Sequence, residues 1–285
     1  MSGKKDFVLT VDWEDWYHIC DLMPYADPEN WSQFESRIEN NTHRLLRLFH
    51  EYDAKATFFV IGELARRYPA LIHEIQDQGH EIAWHGSSHH TWKTLAEEQL
   101  RLEWLDGLVA FTEKTGIRVS GFRAPMWSLT PDLLLSYNHE LAALGIQYDA
   151  SLVPLKIVGN ERYPQTPSRL GEIVEMPPSM GRFFGIAAPV SMSWGFRWLP
   201  WWYVRHQLKR IRSQKDYLML AIHPWELDPD HAVVDLPRGI KFSHYAGLRN
   251  TEKRLRWVLS QFKAVSCIDY VQNMQNPKDL PKFEL

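Results

Sequence analysis

Short β-type runs alternate with helical patterns along most of the chain, and this alternation limits its possible folds more than any other feature. The runs "FVLTV" (7–11), "KATFFVIG" (55–62), "HEIAW" (80–84), "RVSGFR" (118–123), "IQYDA" (146–150) and "YLMLAI" (217–222) have strand length and strand composition. Between them, Trp31, Phe34, Ile38, Leu45, Leu48 and Phe49 fall on one face of a predicted helix across 31–52. Further helices are predicted over 63–79, stopped by Gly79, over 95–116, closed by Gly116, and over 130–145, where Thr130 precedes Pro131. Two more are predicted near 201–213 and 249–262, while the proline- and glycine-rich stretch 152–200 reads as irregular. Such alternation predicts parallel β/α units, in a barrel or an open sheet. With no linker and no repeat, residues 1–285 read as one domain carrying an insertion near 152–200, long enough for a substantial core.

Folds of this class bind ligands beyond the carboxyl ends of their strands, so the polar residues there are the candidates. Asp12, Glu14 and Asp15 follow the first run in "TVDWED". Three carboxylates so close could be a solvated loop or a helix cap; in a site, one could bind a metal while another serves as general base. His85 and His89 follow the third run in "HGSSH". That spacing alone more often marks an ordinary loop, yet two imidazoles, a carboxylate and a water make a common site for zinc or a similar ion. Arg123, in "GFRAPMWS", could orient an acid bidentately. Asp149 and Ser151, in "YDASLVP", stand two apart at another strand end, where an Asx- or Ser-type turn is the ordinary alternative. His223, in "LAIHPWELDPD", is the best-placed group for protonating a leaving atom near neutral pH.

Composition narrows the partners. A net charge of -3 with scattered Lys and Arg argues against a nucleic-acid surface. The N-terminal residues carry no apolar stretch suited to a signal peptide, and no window reaches the ~18 apolar residues of a membrane span, so a cytoplasmic protein is expected. Cys20 and Cys267 imply no disulfide framework. Thirteen tryptophans, several within 192–212, hint at stacking on sugar faces. The Trp/Arg-rich part, 194–212, reads as a buried amphipathic helix, with peripheral contact to a membrane as the alternative.

In order and spacing, "TVDWED", "HGSSH", "RAP", "DAS" and "AIHPW" resemble the motif set of the polysaccharide deacetylases of carbohydrate esterase family 4, the NodB-homology group. "VDWEDWYH", "FRAPMWSLT", "YDASLVP", "HPWELDP" and "FSHYAGLRNTEKRLRWVLSQF" extend the resemblance to the subgroup associated with exosortase-type exopolysaccharide loci. The resemblance implies an α/β fold, a distorted (β/α) barrel of about seven parallel strands, and removal of N-acetyl groups from an amino-sugar glycan or a lipid-linked precursor. It makes His85 and His89 metal ligands, Asp12 the catalytic base, Arg123 its orienting partner, Asp149 a supporting carboxylate and His223 the general acid. The family's adjacent aspartates are replaced here by Asp12-Trp13-Glu14-Asp15, which leaves either Glu14 or Asp15 as the third ligand. The implied cofactor is a divalent ion, zinc first, with Co2+, Ni2+, Fe2+ or Mn2+ as alternatives.

Overall fold

Strand β1 (Asp6–Trp13) is buried from Phe7 through Trp13, as a strand covered on both faces must be. The structure, a computed structural model, describes residues 4–19, 22, 28–274 and 277–283. β2 (Thr57–Val60), β3 (Glu81–Trp84), β4 (Gly121–Phe122) and β5 (Tyr148–Asp149) follow β1 as successive parallel neighbours. Beyond β5, β6 (Ser168–Leu170) and β7 (Ile173–Glu175) form a hairpin in which β7 runs parallel to β5 and β6 antiparallel at the edge. β8 (Gly181–Phe183) and β9 (Ile186–Ala188) make a separate two-stranded hairpin. β10 (Met219–Ile222) lies parallel on the other side of β1, and β11 (Lys263–Val265) pairs with the first residues of β1.

The resulting path, β10-β1-β2-β3-β4-β5-β7-β6, is a curled strip whose two ends are not hydrogen-bonded to each other. Seven of its strands are parallel, which is the distorted (β/α) barrel the resemblance implied. Instead of a further strand, the segment after β7 docks on the free margin of β10. Tyr217 Oη donates to the Pro177 carbonyl (2.8 Å), the Met219 amide to Ser179 Oγ (3.0 Å) and the Ala221 amide to the Ser191 carbonyl (2.9 Å). Ser191 Oγ in turn donates to the Ser179 carbonyl, closing the two docking points on each other.

Several sequence expectations need correction. The stretch 152–200 is not uniformly irregular: it contains β6 to β9 and the helix Ser193–Trp198. Strands of three residues are too short to show a period. Each helix expected at 63–79, 95–116 and 130–145 is broken in two, at Tyr68, Trp104 and Tyr137. At Tyr68 the cause is Pro69, whose ring drives the preceding residue out of the α region, here to φ -128°, ψ 55°. The first long helix spans Ile38–Glu51, and Trp31 belongs to a 3-10 turn ahead of it. Gly116, at φ 72°, ends its helix in the left-handed conformation that the reading assigned it.

Trp13, Trp16, Trp31, Trp84, Trp92, Trp104 and Trp225 are all buried. Trp92 stacks on Trp104 with centroids 4.9 Å apart, and Trp104 lies 5.0 Å from Phe122. Apart from Trp225, these side chains fill the interior and present no platform to a sugar. Cys267 is a buried free thiol; Cys20 lies outside the described residues. Among the described residues no helix is long and apolar enough to cross a membrane.

Candidate active site

A cleft of about 310 Å³ opens at the carboxyl ends of the strands and is lined by Asp12, Glu14, His85, His89 and His223, with Trp127 and Trp194 among its walls. The pleat of β1 selects which acids reach it. Side chains alternate along a strand, so Asp12 and Glu14 share one side while Trp13 turns into the core and donates from Nε1 to Thr42 Oγ1 (2.8 Å). Asp15 goes elsewhere. Its Oδ2 accepts from Ser36 Oγ (2.7 Å) and from the backbone amides of Arg37 (2.9 Å) and Ile38 (3.2 Å), at the start of the helix Ile38–Glu51. Its Oδ1 accepts from the Trp16 amide (2.9 Å). Of the two ligands left open by the sequence, Asp15 is spent on capping a helix and Glu14 alone faces the histidines.

His85 continues from β3, and Gly86 (φ 82°) with His89 (φ 60°) curls the loop back so that the two imidazole centroids lie 5.1 Å apart. His85 Nδ1 bonds the Arg123 carbonyl (2.7 Å) and His89 Nδ1 the His18 carbonyl (2.7 Å). A carbonyl can only accept, so each ring carries its proton on Nδ1 and keeps a lone pair on Nε2. Burial holds both imidazoles below their ordinary pKa, His89 at about 4, so both are neutral near pH 7. Glu14 Oε2 lies 3.1 Å from His89 Nε2, yet this buried oxygen has no hydrogen-bond partner. Burial alone would raise the Glu14 carboxyl, but His89 and His223 outweigh it and hold it at about 2.

Two neutral, anchored imidazoles and a carboxylate with an orphaned oxygen are the donor chemistry a zinc-type ion uses. As they stand, however, no group of three or more His, Cys, Asp or Glu side chains among the described residues is arranged closely enough to hold an ion.

Asp12 pairs through Oδ1 with Nη1 of Arg123, a fully buried side chain. Arg123 also donates to Thr10 Oγ1 (3.0 Å) and to the Ala150 carbonyl (3.1 Å), and its guanidinium is sandwiched 4.2 Å from the rings of both Phe59 and Trp127. Every direction in which it could swing is occupied, so Asp12 is held in one orientation. His223 places Nε2 2.9 Å from Glu14 Oε1 and 3.8 Å from Asp12 Oδ2, and stacks on Trp225 at 5.4 Å. Burial would lower its pKa, but Glu14 and Glu226 on either side raise it to about 10.

Four supporting residues escaped the sequence reading. Glu226 receives the His223 backbone amide (3.0 Å) on Oε2, while Arg197 Nε and Ser193 Oγ both donate to its Oε1 at 2.6 Å. Its position three after His223, at the start of a short helix, was the available signal. Arg197 and Ser193 lie some thirty residues upstream and left none.

Glu175, on β7, sits against Asp149, both fully buried. Asp149 Oδ1 accepts from Ser151 Oγ, and Ser151 Oγ accepts from the Ala124 amide (2.8 Å), next to Arg123. Burial lifts Asp149 from its ordinary 3.8 to about 6, and burial with the Asp149 charge lifts Glu175 well above the carboxylate range. Because both folded-state pKa values are raised, this pair binds more protons in the folded chain than in the unfolded one above about pH 4, and its contribution to stability falls as pH rises. Glu175→Gln, which keeps a neutral partner for Asp149, is expected to weaken that decline. Urea unfolding at about pH 5 and about pH 8 reads it: the wild type should lose more stability between the two than the variant.

Residues 24–148 match the family described as "Polysaccharide deacetylase", and residues 150–272 match "Domain of unknown function (DUF3473)". The boundary falls within β5, so the two stretches contribute strands to one sheet. A peptidoglycan deacetylase of Helicobacter pylori is 32% identical over 113 residues, 39% of this chain and 36% of the relative. The chain spans about a third of the length of the curated relatives it matches first, 36% and 31%. A Mycobacterium smegmatis protein described as a polysaccharide deacetylase superposes with a TM-score of 0.64 at 22% identity, covering 100% of this chain and 94% of that one. PuuE allantoinase superposes with a TM-score of 0.61 at 15% identity, covering 97% and 93%. Both likenesses concern the fold, which hosts more than one chemistry.

Proposed function

We propose that the chain, whose residues 24–148 match the polysaccharide deacetylase family, hydrolyses an acyl group on a carbohydrate, with the acetamido group of an amino sugar as substrate. What supports this reading is a single cleft in which a clamped aspartate, two neutral imidazoles beside a carboxylate, and a histidine set between two acids all face the same space. The strings shared with the exosortase-associated subgroup support the finer placement, and with it a nucleotide- or lipid-linked precursor as substrate.

His85 and His89, through Nε2, and Glu14 are the side chains that would hold a divalent ion, zinc first. When bound there it supplies Lewis acidity towards the acyl oxygen and a water. Asp12 accepts the proton of the attacking water on Oδ2, while Arg123 fixes Oδ1. His223 delivers a proton from Nε2 to the departing nitrogen, and Glu226, itself held by Arg197 and Ser193, stabilises the charged ring beforehand. Trp127 and Trp194 wall the cleft and limit water around the reacting atoms. Acetate and a free amine result.

One observation favours a second reading, a carbohydrate binder without turnover: the donor side chains are not closed into a metal cage. The deciding experiment loads the purified chain with Zn2+, Co2+, Ni2+, Fe2+ or Mn2+ in turn. Bound ion and acetate released from N-acetylated and O-acetylated glycans are then measured. The expected result is one ion per chain, acetate from N-acetyl substrates, and loss of both with a chelator. Acetate from O-acetyl substrates alone would move the reading to an esterase. Absence of both ion and acetate would establish the binder.

A further inference from the structure

The hairpin of β8 and β9 stands outside the main sheet and carries an unusual tip. Phe183 pairs with Ile186 across a two-residue turn made by Phe184 (φ 46°) and Gly185 (φ 85°). Positive φ at both central positions is the type I′ arrangement, whose first central position favours Asn, Asp or Gly. Phenylalanine there is strained, because a bulky side chain rarely tolerates the left-handed region. Phe184 meets the Phe183 ring edge-on, with centroids 4.7 Å apart, and otherwise projects outward: Phe184 is 91% exposed, Ile186 73% and Phe183 55%. Three large apolar side chains thus project together from a narrow tip.

The hairpin leans on the helix Trp201–Gln214, with the Arg182 amide donating to Gln207 Oε1 (3.2 Å) and Phe183 5.7 Å from the Tyr203 ring. The outward face of that helix carries Trp202, 66% exposed, and the exposed Arg205, Lys209 and Arg210. Arg182 is exposed at the base of the tip. From Met176 to Lys215 the chain has seven Lys or Arg and no Asp or Glu, although its overall net charge is -3. Arg197 and Arg212 among these are buried, which leaves Arg182, Arg205, Lys209 and Arg210 as the exposed cations near the hairpin and the helix it leans on.

We infer that this face docks on an anionic phospholipid bilayer, with Phe183, Phe184 and Ile186 entering the interface and Arg182, Arg205, Lys209 and Arg210 meeting the lipid phosphates. The pattern is that of an interfacial anchor: a small apolar wedge, an aromatic at headgroup level and a basic surround. A narrow tip enters between headgroups, whereas a protein partner would need a broad complementary surface. The attachment is reversible and salt-sensitive, since a few apolar side chains and a handful of exposed charges give only marginal binding. It does not depend on the chemistry of the cleft.

Flotation of the full chain with vesicles tests this. The wild type should float with vesicles of equal parts phosphatidylcholine and phosphatidylglycerol, and more than tenfold less with pure phosphatidylcholine. Phe184→Asn should cut flotation about tenfold or more, as removal of one buried aromatic predicts. Asparagine suits the turn better than phenylalanine, so this variant should melt no lower than the wild type, which separates lost docking from lost folding. Arg205→Gln and Arg210→Gln should each reduce flotation about fivefold. The inference is overturned if the wild type stays unbound at low salt, or if Phe184→Asn floats as well as the wild type. It is equally overturned if sedimentation shows a dimer that Phe184→Asn dissolves, because the face then belongs to a second copy of the chain.

Discussion

His223→Ala is expected to lower acetate release from an N-acetylated sugar by about 10²–10⁴-fold, the usual cost of removing a general acid. The same substitution should cost far less with an activated ester, because an amine anion is a very poor leaving group and needs the proton that a good alkoxide or phenolate does not. Glu226 keeps Arg197, Ser193 and the residue 223 backbone amide as partners, but buried Glu14 loses the imidazole nitrogen 2.9 Å from its Oε1, so the variant should also lose some stability, which a melting curve reads separately from the kinetics. Kinetics on the two substrate classes with one preparation provide the check. Equal losses on both would remove His223 from the proton-transfer role and leave it a structural partner of Glu14.

Arg123→Leu should produce the largest loss of stability, about 3–5 kcal/mol, the cost of stripping one member from a buried ion pair. The side chain is fully buried, and its loss would leave Asp12 without its cation and the Ala150 carbonyl and Thr10 without their donor. For a chain of this size the melting temperature should fall by on the order of 10 °C. The double variant Asp12→Asn/Arg123→Leu should lose less than the sum of the two single variants, since neither member then leaves a stranded charge. Additive losses in a double-mutant cycle would mean that Asp12 and Arg123 do not depend on each other.

The sequence made much of this site legible because the relevant side chains follow directly on apolar runs. His85 comes straight after β3, His223 after β10 and Arg123 after β4, so a strand end was enough to single them out. The ambiguity between Glu14 and Asp15 arose because Asp12-Trp13-Glu14-Asp15 stands in place of the adjacent aspartates of the family the chain resembles. β1 runs beyond the expected run 7–11 to Trp13, and its alternation carried past Trp13 sends Asp12 and Glu14 to the same side. Asp15 looked equivalent in the string because a helix cap and a metal ligand draw on the same residue type. Glu175 was invisible for another reason: β7 has three residues, pairs with β5 and lies in a stretch whose prolines and glycines suggested a loop. Its role depends on a contact with Asp149 across the sheet, which no local pattern records. The same holds for Arg197, whose carboxylate partner is 29 positions away.

Ser179 and Ser191 both fasten onto β10 and onto each other, although twelve positions separate them. The chain between these two serines leaves the barrel and returns to nearly the same place, so its content is geometrically decoupled from the strip it closes. An ancestor with a tight bend there and a descendant with a long excursion could share one barrel and one cleft. Where such a protein goes in a cell could then diversify by exchanging a dozen residues, with the catalytic scaffold left untouched.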